Sequence, residues 1–425
     1  MRLFSTCLAI IASCVSSLPL AAEDFFFHDG DKVVMIGDSI TEQHLYSSYV
    51  EMWVSTRFPA WKITFRNVGI GGDRSTGGNS RFKRDVLVHQ PTNMTVDFGM
   101  NDGGYKPFDE AGFKTYMGGL QGMADQATEA KIRTAWVTPQ PLDNADPGAT
   151  ALTAYNLTLE QYSAGVKTIA EKNGGVFVDQ FHPYLAVLDK ARSAGPKYDR
   201  ITGGDAVHPG PPGQALMAAS ILKGLNFPAL VSAVEIDAAG KKIANQQNCQ
   251  VTSLAESAGG ISFQRLDSAL PFYPADAAGI LKWAPILDEL NNYQLKISGL
   301  KPGRYEIKTG GVKIAEHSAE ELSTGVNLAA AALAAGPVAE QVKQVVAAIQ
   351  QKNQFHHDRI FRGIVLFNFG GFPDWLGVNI TPEEINKKRK AALAERYAAL
   401  PELDNTIRQS LQIKPHLVEV VPVAK

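Results

Sequence analysis

Cysteine is scarce in this 425-residue chain, which has only Cys7, Cys14 and Cys249. The first two fall within a segment read below as a cleaved leader. The mature chain then keeps one thiol and no intrachain disulfide, and export does not demand one when the core is large. Cys249 is expected to be a buried, inert thiol. Excess charge is also missing. Lys and Arg number 41 against 43 Asp and Glu, a formal net charge of -2, so there is no basic footprint for nucleic acid. Beyond the N-terminus no apolar run is long enough to span a bilayer. The richest, Leu328 to Ala335, is short and alanine-heavy and reads as helix. There is no internal repeat. The glycine-rich stretch Gly71 to Gly78 lacks the lysine that a phosphate-cradling loop needs at fixed spacing. His356-His357-Asp358 invites a metal reading, but adjacent residues rarely face one site and no Cys or Glu partner stands at ligand spacing. No metal or organic cofactor is expected.

The N-terminus stands apart from this plain background. Arg2 is followed by an uncharged apolar run, Leu3 to Leu20, and then by Ala21-Ala22 before Glu23. That is the layout of a secretory signal peptide cleaved after Ala22, which implies an exported protein, periplasmic or extracellular. Ile11-Ala12-Ser13-Cys14 offers an alternative, lipid attachment at Cys14, that fits less well because the apolar region before it would be short.

From Lys32 to about Phe227, short apolar runs alternate with amphipathic stretches. Strands are expected at Lys32–Ile36, Lys62–Val68, Asn93–Phe98, Ile132–Val137 and Gly175–Asp179. Helices are expected at Tyr46–Phe58, Asp109–Ala130, Thr150–Asn173 and Pro212–Leu225. Strands separated by helices indicate βαβ units and a mostly parallel sheet covered on both faces. After Leu230 the texture changes. Tyr293–Ile297 and Arg304–Lys308, around a Gly299-Leu300-Lys301-Pro302-Gly303 turn, read as a β-hairpin, and Val312–Ile314 as a further strand. Helices are expected at Val338–Lys352, from Thr381 onward with Pro382 in the first turn, and at Glu402–Leu411. The expected organisation is a leader over 1–22, an α/β domain over 23–230, a small β-containing insert over 231–325 and a helical C-terminal region over 326–425.

Four short blocks stand in order along the chain, the first three at the ends of the first three strands: Gly37-Asp38-Ser39, Asn67-Val68-Gly69-Ile70-Gly71-Gly72, Gly99-Met100-Asn101-Asp102 and Asp205-Ala206-Val207-His208. Singly each is weak. Together they supply the parts of an acyl-transfer site at strand ends, where open α/β sheets bind ligands. A serine hydroxyl needs a base to become nucleophilic. His208 supplies one, since histidine is the side chain that changes charge near neutrality. Asp205 is three residues away and can hold the other ring nitrogen. The developing oxyanion needs donors, and the N–H groups of Ser39 and Gly72 and the Asn101 amide are candidates. The bland alternatives are a helix N-cap for Ser39 and a turn residue for Asp205. Asp38 and Asp102 are expected to hold loops through backbone hydrogen bonds. Arg74 and Tyr105 are candidates for substrate contact, and His44 reads as a loop residue.

This combination resembles the SGNH hydrolase superfamily, also called the GDSL esterase/lipase family, over residues 30 to 227. The four marker positions match at Ser39, Gly72, Asn101 and His208, with Asp205 in the usual place. Ile40 stands where the nickname expects leucine. The resemblance implies a flavodoxin-like three-layer α/β/α fold and hydrolysis of an ester through an acyl-serine intermediate, without metal or cofactor.

With export and no long apolar lid segment, the expected substrate is an acylated carbohydrate, most often O-acetylated. Lysophospholipase, thioesterase and arylesterase activities stay open. So do acyl transfer between sugars and a non-catalytic carbohydrate-binding protein on the same scaffold.

Overall fold

The computed structural model describes residues 25–143, 150–195, 199–367, 373–377 and 381–423. The expected leader, with Cys7 and Cys14, lies outside them. Five strands form the first sheet: β1 (Lys32–Gly37), β2 (Thr64–Asn67), β3 (Asn93–Asp97), β4 (Arg133–Val137) and β5 (Val176–Val178). Their order is β2-β1-β3-β4-β5, and every neighbouring pair runs parallel. Side chains alternate across this sheet because the strand period is two. Val33 and Met35 enter one apolar core with Val50, Trp53, Leu188 and Leu216. Val34 and Ile36 enter another with Phe82, Leu120, Met123 and Val166. Helices α1 (Ser39–Glu42), α2 (Tyr46–Arg57), α3 (Ser75–Asp85), α4 (Glu110–Glu129), α5 (Thr150–Asn173), α6 (Phe181–Ser193) and α7 (Pro211–Gly224) alternate with or follow the strands. The two cores on opposite faces make the three layers, and the flavodoxin-like order is as expected.

The chain reverses its direction of travel across the sheet between β1 and β3. Their carboxyl ends therefore open a crevice at the topological switch point, with Gly37 directly beside Asp97. The loops after β1 and β3 carry Ser39 and Asn101.

The second half builds two more sheets. β6 (Leu230–Asp237) and β7 (Lys242–Gln247) join β10 (Asn292–Ser298) and β13 (Val326–Asn327) in the order β13-β10-β6-β7. β8 (Cys249–Ser257), β9 (Gly260–Asp267), β11 (Arg304–Thr309), β12 (Val312–Ser318) and β14 (His416–Pro422) form the other, in the order β12-β11-β14-β9-β8. The expected hairpin of 293–297 with 304–308 is not formed. β10 pairs in parallel with β6, while β11 pairs with β12 and β14. The turn between them carries the chain from one sheet to the next. β14 is a strand in a stretch expected to be helical, and the helix expected at Glu402–Leu411 is the end of one long helix, Pro382–Ser410.

The C-terminal helices dock on the α/β layers through buried charges. Lys352, fully buried on helix Pro337–Gln354, reaches Glu51 of α2 at 2.7 Å and the Phe65 carbonyl at 2.9 Å. Asn353 donates to Glu51 and to Ser48, both at 3.0 Å. Arg66 of β2 grips Asp404 of the last helix with both terminal nitrogens. Cys249 is half-buried, and burial pushes its thiol up to about 11, which keeps it protonated and unreactive.

Candidate active site

Ser39 stands at the first turn of α1, directly after β1. The N-cap there is Asp38, whose Oδ1 accepts the Ile40 N–H at 2.9 Å. The capping role open to Ser39 thus falls to its neighbour, and the Ser39 hydroxyl is left to face the crevice. His208 Nε2 lies 2.9 Å from Ser39 Oγ, and His208 Nδ1 lies 3.1 Å from Asp205 Oδ2. Sequence separation between serine and histidine is 169 residues, so only the fold brings them together.

The Asp205–His208 turn is held from several sides. Asp205 Oδ1 accepts the N–H groups of Val207 at 2.8 Å and His208 at 2.7 Å, while Asp205 N–H donates to the His208 carbonyl at 3.1 Å. Gln140, in the loop after β4, donates to the Val207 carbonyl at 3.1 Å. Partial burial works to raise the Asp205 carboxyl, but the hydrogen bonds from His208 and Val207 outweigh it and hold the group below its ordinary value. Asp205 is thus an anion facing the imidazole.

The loop after β2 supplies backbone donors. Asn67 fixes its start, donating to the Thr41 carbonyl at 2.6 Å and accepting the Gly69 N–H at 2.9 Å. Gly72 has φ +73 with open space where a Cβ would stand. A side chain there would be strained by the left-handed backbone and would project toward solvent. No described residue accepts a hydrogen bond from the N–H of Gly72 or of Ser39, so both remain available to a ligand. Arg81 of α3 braces the loop from beneath, with Nε 2.8 Å from Asp73, Nη1 2.6 Å from the Val68 carbonyl and Nη2 3.1 Å from the Gly37 carbonyl.

Asn101 is more engaged than the sequence suggests. Its Nδ2 donates to the Asp73 carbonyl at 3.0 Å and to Asp38 Oδ2 at 3.3 Å. Serving an oxyanion requires giving up one of these, and the longer bond to Asp38 is the weaker. Burial pushes the Asp38 carboxyl up to about 7, with Asp102 and Asp73 adding to the rise against the Ile40 hydrogen bond. A carboxyl that keeps its proton more readily than an ordinary one repels a developing oxyanion less than a fixed anion would. Asp102 accepts the Ser75 N–H at 2.9 Å and the Ser75 hydroxyl at 2.7 Å, a loop-holding role as expected.

Tyr105 donates to Asn101 Oδ1 at 3.1 Å and is partly exposed, so it sits at the rim in contact with a candidate oxyanion donor. Arg74 is exposed at the start of α3. His44 lies in the loop after α1, its ring edge-on to His357 at 4.9 Å. His356 is buried with both ring nitrogens unpartnered. Among the described residues no group of three His, Cys, Asp or Glu is placed to hold a metal ion, and no helix is long and apolar enough to cross a membrane. Sequence reasoning missed Glu42, Arg81 and Arg362, whose partners lie elsewhere in the chain and leave no local pattern.

Comparison with known proteins agrees with this geometry. Residues 35–216 match the model of the GDSL-like lipase/acylhydrolase family, a span that contains all four blocks. An acetylxylan esterase of Geobacillus stearothermophilus is 26% identical over 223 residues, 47% of this chain and 95% of its own length. Among solved structures, a gut microbial diltiazem-metabolizing enzyme superposes with a TM-score of 0.80 at 25% identity, covering 93% of this chain and 98% of that one. Residues 35–216 thus carry a GDSL-like lipase/acylhydrolase segment, which with the acetylxylan esterase likeness supports assignment to the SGNH hydrolases, and the chain is a serine carboxylic ester hydrolase.

Proposed function

We propose that this is an exported carbohydrate O-acyl esterase that uses Ser39 as nucleophile, with O-acetyl groups as the preferred substrate. The observation that carries the mechanism is the hydrogen-bonded chain Asp205–His208–Ser39 beside two unpartnered backbone N–H groups. His208 Nε2 takes the Ser39 proton as Oγ attacks the ester carbonyl carbon. The carbonyl oxygen becomes an oxyanion that accepts from the N–H groups of Ser39 and Gly72 and from Asn101 Nδ2. Collapse breaks the bond to the alcohol oxygen, which leaves with the proton from His208. Water then attacks the acyl-serine, giving its proton to His208, and the acid departs as Ser39 recovers its hydrogen. Arg74 and Tyr105 contact the alcohol side at the rim.

The carbohydrate preference is supported by the likeness to an acetylxylan esterase and by the signal-like residues 1–22. A second reading, an esterase of small non-sugar esters, is favoured by the likeness along nearly the whole chain to a diltiazem-metabolizing enzyme. Acetate release from acetylated polysaccharides, measured beside diltiazem and aryl esters of increasing chain length, separates the two. Release from the polysaccharides that vanishes in Ser39→Ala supports the first. Turnover confined to the small esters rejects it, and a fully active Ser39→Ala variant rejects both.

A further inference from the structure

The half of the chain beyond the GDSL-like segment reaches the oxyanion loop through a π-helix. Helix Pro337–Gln354 continues directly into a π-helix, Phe355–Val365. π-Helical turns recur at functional sites because the extra residue per turn redirects side chains. Here they aim His357 and Arg362 at one carboxylate. Arg362 Nε donates to Glu42 Oε1, and His357 Nε2 lies 3.5 Å from the same oxygen. The other oxygen, Glu42 Oε2, accepts the Gly71 N–H at 2.6 Å. Glu42 closes the short helix that Ser39 opens. One carboxylate therefore ties the nucleophile's helix, the glycine loop and the C-terminal half together.

The loop needs such a tie. Gly69-Ile70-Gly71-Gly72 has three glycines in four residues, so it is conformationally free and has few side chains to pack. Its other anchors are Gly69 N–H on Asn67 and Ile70 N–H on the Gly37 carbonyl at 3.2 Å, both before Gly71, and Asp73 N–H on the Ile70 carbonyl at 3.2 Å, which closes the turn from beyond Gly72. Among the described residues, Glu42 makes the side-chain hydrogen bond to the Gly71 N–H, on the peptide just before Gly72. Burial alone would raise the Glu42 carboxyl, but His357 and Arg362 outweigh it and keep the group ionised. An ionised acceptor makes a shorter and stronger bond to N–H than a neutral one.

We propose that Arg362, acting through Glu42, is a positioning residue that holds the Gly71–Gly72 peptide with the Gly72 N–H aimed at the oxyanion. The inference rests on the reading of Ser39 as nucleophile and Gly72 as donor. The Arg362 side chain is half exposed, and exposed ion pairs add little stability. Its loss should therefore register in the chemistry and not in folding.

The test compares the full-length wild type with Arg362→Met and Arg362→Lys on p-nitrophenyl acetate, with thermal unfolding run alongside. Arg362→Met should lower kcat about tenfold, a fraction of what losing a donor costs, with KM changed less than about twofold and Tm nearly unmoved. Arg362→Lys should recover much of that rate. Unchanged kcat in Arg362→Met overturns the inference. So does a rise in KM alone, which would make Arg362 a substrate contact, or a rate loss matched by lost Tm. Stoichiometric labelling of wild-type Ser39 by a fluorophosphonate separates the two roles. Failure to label defeats the nucleophile assignment itself, whereas normal labelling with an indifferent Arg362→Met defeats only the positioning role.

Discussion

Asn101 carries several claims at once, since its amide nitrogen serves Asp73 and Asp38 and its oxygen serves Tyr105. If it also serves the oxyanion, Asn101→Ala should cut kcat by roughly 100- to 1000-fold, about 3–4 kcal/mol, with KM little altered. Steady-state kinetics decide this, and a KM effect without a kcat effect would reassign the residue to ground-state binding. Asp38 makes a separate claim on stability. Its folded pKa of about 7 stands above the ordinary 3.8, so the native state keeps a proton that the unfolded chain has already released. Its contribution is therefore most favourable in acid, below the unfolded value. It is lost as pH rises toward 7 and is level beyond that. Replacing Asp38 by Asn removes this slope. Urea unfolding at about pH 4 and about pH 8 should show the variant gaining on wild type by up to a few kcal/mol at the higher pH. Parallel curves would contradict it. The residues the sequence singled out were legible because each follows an apolar run or sits in a short local pattern. Glu42 and Arg362 were not, because their contacts span 29 and 320 residues and exist only once helices have docked.

At the scale of elements, the first five strands and their helices stood out because burial on two faces leaves a strong periodic imprint. The later strands were harder. The Gly310-Gly311 pair, with φ +56 and +81, makes the two-residue turn that joins β11 to β12. That turn type requires two positive φ values, so the dipeptide was a readable hairpin signal. The longer Gly299–Gly303 turn looked similar but links two sheets. β14 left a weaker trace, because it pairs Val418 with Phe263 and Thr309, far away in the chain. Helix Pro382–Ser410 continues through Pro401 because its buried stripe does too, with Leu400, Asp404 and Ile407 at helical spacing. One joint between elements is Lys352 on Glu51, both almost wholly buried. Lys352→Met should strand the Glu51 carboxylate and cost about 3–5 kcal/mol. Pairing it with Glu51→Gln should restore part of that loss. Denaturant unfolding of the single and double variants checks both, and a neutral single variant would show that the joint carries no stability.

Across the whole molecule, one apolar core runs from the α/β layers into the later sheets, joining Met35 and Trp53 with Val234, Phe263, Leu295 and Val420. The C-terminal helices are pinned to the same layers by buried ion pairs. The likeness to the diltiazem-metabolizing enzyme spans nearly the entire chain, so the second half is part of a recurring architecture. The central claim remains that this architecture presents Ser39 as an acyl acceptor. Acid quenching during turnover of p-nitrophenyl acetate, followed by peptide mass analysis, tests it directly. One acetyl group should appear on the peptide containing Ser39 and be absent from Ser39→Ala. Acetylation at another residue, or steady turnover in Ser39→Ala, would contradict the account.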